Sequence, residues 1–213
     1  MIEISNFLSE NLNDYYNGLV FNAEFPWYYS SEITNAPVTF SLSRESFPFD
    51  YRQTGFHHTP FVKYAPTSQA FPYFSHLSKL VEEQLPENPL GHEWSLYRVR
   101  CGFNIPPNPQ NKYEDVEHNT PHVDHDNKVV TGKTYTCLYY LNDTDGDTFI
   151  FNEKVPPAPA PWPPKFTIKH RVNPTRNKLL IFDGDYFHAS SSPRKHNSRV
   201  VLTFNYHDRQ YEV

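Results

Sequence analysis

Hydrophobic and polar positions divide the chain into two unlike parts. In residues 1–92 the alternation is weak and the clearest pattern is helical. In "YFSHLSKLVEEQL", Tyr73 to Leu85, the apolar residues Leu77, Leu80, Val81 and Leu85 fall on one face at helical spacing, and "PENP" ends the run. A shorter helix is expected over "ENLNDYYNGLVF", with Ser9 as its N-cap, after a short strand in "MIEISNFL". "EFPWYYSS" and "VTFSLSRE" alternate weakly and read as strands. From residue 93 onward period-two alternation takes over. "EWSLYRVRCGFN", "TYTCLYYLND", "DTFIFNE", "KFTIKHRVNP", "NKLLIFDGD" and "SRVVLTFNYH" read as strands separated by turn residues. "KVPPAPAPWPPK" reads as an extended, polyproline-like surface excursion at 155–164, a spacer or docking segment.

Many short strands with turns between them predict a sandwich or barrel, mainly β, with the helical N-terminal part supporting one face. A length of 213 residues suits one domain, with 1–92 as support region and 93–213 as barrel core. Twenty Pro against seven Gly agree with stiff loops and few long helices. The net charge of -5 argues against binding a nucleic-acid backbone. Cys101 and Cys137 lie in apolar strand-like runs, so no disulfide framework is expected and a reducing cytoplasm fits. No secretory leader or membrane-spanning run is read.

Candidate chemistry concentrates in "NTPHVDHDN". If "PHVDHD" is a strand end, His122, Asp124 and Asp126 share one face, while Val123 and His125 face the other way. His122 and Asp124 can then converge on one ion. The best third ligand is His188 in "LLIFDGDYFHASSSP", which is expected at a strand mouth, after a turn. Two imidazoles and one carboxylate leave three adjacent positions open on a metal, the usual set for non-haem Fe(II) oxygenases, although zinc accepts the same donors.

The order of the later segments carries a resemblance. H-x-D is followed by "TYTCLYYLND", "GDTFIF", "NKLLIFDGDYFH" and then "SRVVLTFNY". This series resembles the core of the 2-oxoglutarate- and Fe(II)-dependent dioxygenases, specifically the prolyl 4-hydroxylase-like branch, from about Leu96 to Asp208. "MIEISNFLSE" and "EFPWYY" also resemble small phage-encoded members. The resemblance implies a double-stranded β-helix, a jelly-roll or cupin-like barrel, with His122, Asp124 and His188 as iron ligands. It implies that Arg199 pairs with the far carboxylate of 2-oxoglutarate, helped by the Tyr140 hydroxyl and by Thr148. It leaves Asp126 as a rim group and His125 on the solvent side or at the substrate rim. With Fe(II), 2-oxoglutarate and O2, the implied reaction is hydroxylation of a C–H bond in a protein, peptide or amino-acid substrate, with release of succinate and CO2.

Two departures stand out. Where many prolyl hydroxylases carry "GG", this chain has "TDGD". A tyrosine common on the strand before H-x-D has no clear match near Gly102 and Phe103, and Arg98 and Arg100 share a face that could line the pocket instead. Oxidative demethylation of nucleic acid is an alternative, but such enzymes place a second Arg where Asn205 stands. A non-catalytic jelly-roll binding module is the other alternative.

Overall fold

The computed structural model describes residues 1–31, 33, 53–88, 91, 93–107, 117–125, 132–156, 163 and 165–208. In chain order the elements are β1 (Ile2–Ile4), α1 (Glu10–Val20), β2 (Tyr28–Ser30), β3 (Gly55–Val62), β4 (Ala65–Pro66), α2 (Phe71–Glu82), β5 (Trp94–Asn104), β6 (Thr134–Tyr140), β7 (Thr148–Lys154), β8 (Ile168–Val172), β9 (Lys178–Asp183), β10 (Tyr186–Ser190) and β11 (Arg199–Asp208).

Two antiparallel sheets result. The larger runs β1-β9-β6-β11-β5-β3-β2, with β4 paired to β3, and the smaller runs β10-β7-β8. A single bridge between His122 and His188 adds the H-x-D segment beside β10. The chain passes repeatedly between the two sheets, from β6 to β7, β8 to β9, β9 to β10 and β10 to β11, and the fold is a double-stranded β-helix.

Strand alternation sorts the side chains into three layers. On the outer face of the large sheet, Val99, Cys101, Cys137, Tyr139, Leu179, Ile181, Leu202 and Phe204 form one core with Tyr16 and Val20 of α1 and Phe74, Leu77 and Val81 of α2. Between the sheets lie Leu138, Tyr140, Ile150, Leu180, Phe182 and Val201. Phe149, Phe151, Phe187 and Ala189 cover the outside of the small sheet, with Val123 against them. The helices therefore back the large sheet, and the inner faces are left to build a site.

Asn177 ties the N-terminus to this frame. It sits at φ 63°, in the left-handed region that Asn tolerates. Its Oδ1 accepts from the Leu8 N–H at 2.9 Å and its Nδ2 donates to the Leu8 carbonyl at 2.9 Å. The Tyr139 hydroxyl donates to the same Oδ1 at 3.2 Å.

Several expectations shift. The second helix begins at Phe71 rather than Tyr73, because Pro72 fits the first turn, where its missing N–H is not needed. Ser9 precedes α1, but its side chain makes no capping bond. β3 and β10 are strands that the pattern did not single out. "VTFSLSRE" and most of the Pro-rich stretch lie outside the described residues. Cys101 and Cys137 are buried free thiols. No helix among the described residues is long and apolar enough to cross a membrane.

Candidate metal centre

His122 and His188 face each other across a backbone bridge, each N–H donating to the other's carbonyl at 2.9 Å. His188 is therefore inside β10 and only 4% exposed, not at a strand mouth. A register shift in the β10–β7 pairing lies between Tyr186 and His188. With Phe187 and Ala189 packed outward, alternation sends the imidazole inward.

The Nδ1 atoms of both rings are held by local carbonyls, His122 by Thr120 at 3.1 Å and His188 by Tyr186 at 3.3 Å. That arrangement leaves both Nε2 atoms facing Asp124, at 3.7 Å from Oδ1 for His122 and 3.6 Å from Oδ2 for His188. One ligand atom from each of the three residues lies within 4.8 Å of the others. Donors cis to one another around a first-row ion, each at ~2.1 Å, sit about 3 Å apart, so a small contraction closes the set on a metal. The donor chemistry also fits. Burial and the neighbouring His188 push the His122 imidazole down to about 3, so it is neutral with a free lone pair. Burial alone would raise the Asp124 carboxyl, but Arg98 and the two imidazoles outweigh it and hold it well below its usual range.

Asp124 is gripped from behind. Arg98 Nη2 lies 2.6 Å from its Oδ1, and Asn205 Nδ2 donates to its Oδ2 at 3.1 Å. Arg98 Nε in turn donates to Asn205 Oδ1 at 2.9 Å, and Asn205 Nδ2 also reaches Thr136 Oγ1 at 3.1 Å. The sequence pattern offers Arg98 as a pocket-lining residue and does not reveal the bonds that Arg98 and Asn205 make to Asp124. The link follows from register, since Asn205 is the cross-strand partner of Arg98.

Arg199 opens β11 at the other end of the same cavity and is 4% exposed. Its Nε donates to the Gly146 carbonyl at 2.8 Å and its Nη2 to Thr148 Oγ1 at 2.9 Å. The Tyr140 hydroxyl pairs with Thr148 Oγ1 at 2.8 Å, and the guanidinium carbon lies 5.7 Å from the Tyr140 ring centre. Burial pushes the phenol up to about 12 against the opposing pull of Arg199 and Thr148, so the hydroxyl keeps its proton. Tyr140 reaches the cavity through Thr148 and does not form its wall.

The "TDGD" departure has a physical role. A Cβ on Gly146 would meet Arg199 Cδ and the Ser191 carbonyl, both at 2.9 Å. Asp145 accepts the backbone N–H groups of Arg194, Lys195 and His196, fixing the approach to β11. Asp147 accepts Arg171 Nε and, at 3.1 Å, Asn173 Nδ2.

One cavity, open to solvent, joins the triad to Thr148 and Arg199 and is also lined by Arg98, Arg100 and Asn104. His125 does not belong to it. Its side chain is 8% exposed and its Nε2 pairs with Asp185 Oδ1 at 3.1 Å, so it is not a solvent-side residue. The preference of an imidazole for a nearby carboxylate over water explains the difference. Asp126 lies outside the described residues.

A His-Asp-His set that shares a barrel interior with the buried Arg199 is the arrangement expected of non-haem Fe(II) enzymes that use a 2-oxoacid. Residues 110–207, which carry the triad and Arg199, match the model of the 2OG-Fe(II) oxygenase superfamily. The fold is similar to that of an oxidoreductase of the 2OG-Fe(II) oxygenase family from Burkholderia pseudomallei, at TM-score 0.61 and 10% identity over 97% of this chain and 84% of that one. It is also similar to the non-heme alpha ketoglutarate dependent epimerase SnoN from nogalamycin biosynthesis, at TM-score 0.59 and 12% identity over 97% and 78%. A third similar structure is the viral collagen prolyl hydroxylase from Paramecium Bursaria Chlorella virus-1, at TM-score 0.53 and 13% identity over 98% and 96%. No curated protein sequence matches the chain.

Proposed function

We propose that the protein is a 2-oxoglutarate- and Fe(II)-dependent dioxygenase that hydroxylates a C–H bond of a prolyl or other protein, peptide or amino-acid substrate. The single observation that carries this reading is one cavity holding His122, Asp124 and His188 at one end and Thr148 and Arg199 at the other. Similarity to the viral collagen prolyl hydroxylase supports the prolyl version, and similarity to an epimerase shows how widely this fold is used.

In this reading His122, Asp124 and His188 hold Fe(II). When bound, iron with 2-oxoglutarate and O2 supplies an oxidant strong enough for an unactivated C–H bond, yielding the alcohol, succinate and CO2. The chain's own residues do the rest. Arg199 offers its guanidinium to the far carboxylate of 2-oxoglutarate, for which a planar two-pronged donor is suited. Thr148 adds a hydroxyl beside it, and Tyr140 orients that hydroxyl from behind. Arg98 and Asn205 fix the Asp124 carboxylate so that it presents one geometry to the metal. The apolar layer of Leu138, Ile150 and Val201 limits water near the cosubstrate.

Nucleic-acid demethylation finds no support at position 205, where Asn205 is committed to Asp124 and Arg98. Succinate release by the purified protein with Fe(II) and 2-oxoglutarate, across proline-containing peptides and free amino acids, tests the proposal. Release stimulated by a prolyl compound is expected. Absence of any 2-oxoglutarate-dependent succinate would reject it.

A further inference from the structure

We propose that Arg100 binds a carboxylate of the substrate, so that the molecule oxidised carries a free carboxylate within one residue of its reacting carbon. This rests on the dioxygenase reading above and narrows its substrate class.

β5 alternates sharply. Val99 and Cys101 enter the core behind the sheet, while Arg98, Arg100, Gly102 and Asn104 line the cavity. Two arginines on one inward face of a barrel need an explanation, because a guanidinium cannot shed its proton to escape burial. Arg98 has one, since its Nη2 lies 2.6 Å from Asp124. Arg100 does not. Its Nη2 donates to the Ile33 carbonyl at 2.7 Å, and among the described residues no carboxylate pairs with it.

The charges of the loaded site sharpen the point. A ferrous ion, the 2-oxoglutarate dianion, Asp124 and Arg199 neutralise one another. The charges of Arg98 and Arg100 are then left over as an excess of two, which a substrate carboxylate reduces, and the two-pronged donor geometry of Arg100 matches a carboxylate.

Position limits what else that molecule can be. Arg100 is two residues from Arg98 on the same strand face, about 6–7 Å along the strand. A carboxylate seated on Arg100 therefore lies on the same face of β5 as Arg98, the residue that holds Asp124. Gly102, the next residue on that face, puts no side chain in the way, since a Cβ there would make only ordinary contact with Val201 at 3.5 Å. A free amino acid, or the C-terminal residue of a peptide, satisfies this arrangement. An internal residue of a polypeptide has no carboxylate to offer.

The test is binding, not turnover. The protein is loaded with Mn(II) and 2-oxoglutarate and titrated calorimetrically with the free proteinogenic L-amino acids, with N-acetylated tripeptides ending in each, and with the carboxamide of every compound. At least one acid is expected to bind about tenfold or more tighter than its amide, the loss expected when a charge-assisted bidentate pair is removed. Arg100→Gln should erase that preference, Arg100→Lys should restore part of it, and affinity for 2-oxoglutarate should stay within about twofold. Whether free acids or peptide acids bind distinguishes the two carboxylate sources. Equal binding of acids and amides, no binding by any acid, a preference that survives Arg100→Gln, or a variant that weakens 2-oxoglutarate instead would each overturn the proposal. Failure of the wild-type protein to bind 2-oxoglutarate at all would strike the dioxygenase reading itself, so the two failures are separable.

Discussion

Asn205 donates from Nδ2 to Asp124 Oδ2 at 3.1 Å, fastening a residue of the last strand to the carboxylate of the H-x-D segment. The same amide accepts Arg98 Nε at 2.9 Å, so three separate segments meet at one carboxylate. Groups that orient a metal ligand typically change metal affinity by ~10–100-fold when removed. Asn205→Ala should weaken Fe(II) binding within that range and leave 2-oxoglutarate contacts at Arg199 intact. Anaerobic titration of metal into the variant checks this, and unchanged affinity would reduce Asn205 to a packing residue.

Arg199→Lys should raise the 2-oxoglutarate requirement while turnover at saturation changes less. Lysine keeps the charge and loses the fork, and a hydrogen bond to a charged group is worth about 1.5–3 kcal/mol, or roughly ten- to a hundredfold in affinity. Steady-state kinetics against 2-oxoglutarate separate the two effects, and an unchanged requirement would move the anchor elsewhere.

Gly146→Ala should disturb Arg199 without removing any charged group. The added Cβ meets Arg199 Cδ and the Ser191 carbonyl at 2.9 Å, and the carbonyl cannot step aside cheaply. Overpacking of this kind costs about 1–3 kcal/mol. A lowered unfolding midpoint together with a raised 2-oxoglutarate requirement is expected, and a variant indistinguishable from wild type would show that the turn has slack.

Asn177→Ala removes both side-chain bonds to Leu8 and places alanine at φ 63°. Each buried group left unpaired costs about 1–3 kcal/mol, which corresponds to a drop of several degrees in Tm for a chain of this size. Thermal unfolding measures it, with the metal site expected to survive.

Acid should loosen the turn that leads into β11. Burial works to raise the Asp145 carboxyl, but the bond from His196 and the backbone N–H groups of Lys195 and Arg194 bring it down to about 2 from an ordinary 3.8. A depressed carboxyl contributes its full stability above the unfolded value and loses it as pH falls through the folded one. The stabilisation from Asp145 is therefore complete above about pH 4 and fades toward pH 2. Asp145→Asn should flatten the dependence of Tm on pH in that window relative to wild type, whereas parallel curves would mean that the clasp contributes nothing.

The strands that bury one face and enclose the other were legible, because Thr136, Leu138 and Tyr140 alternate with Cys137 and Tyr139 as period two requires. β3 was not, since "GFHHTPFV" mixes histidines and a proline into a strand whose neighbours supply the burial. β10 does not stand out either, because five residues followed by "SSSP" carry too little periodicity, although pairing with β7 makes them a strand and brings His188 inside. The three ligand residues could be proposed from residue type and alternation. The grip of Arg98 and Asn205 on Asp124 could not, because it depends on which residues of β5 and β11 lie opposite one another.

In the proposed function His122, Asp124 and His188 form one metal site. Equilibrium dialysis of Fe(II) under argon, on the wild-type protein and on Asp124→Ala, tests it most directly. One ion per wild-type chain and its loss in the variant, with Tm little changed, is the predicted result. A variant that still holds one ion as tightly as wild type would contradict the account.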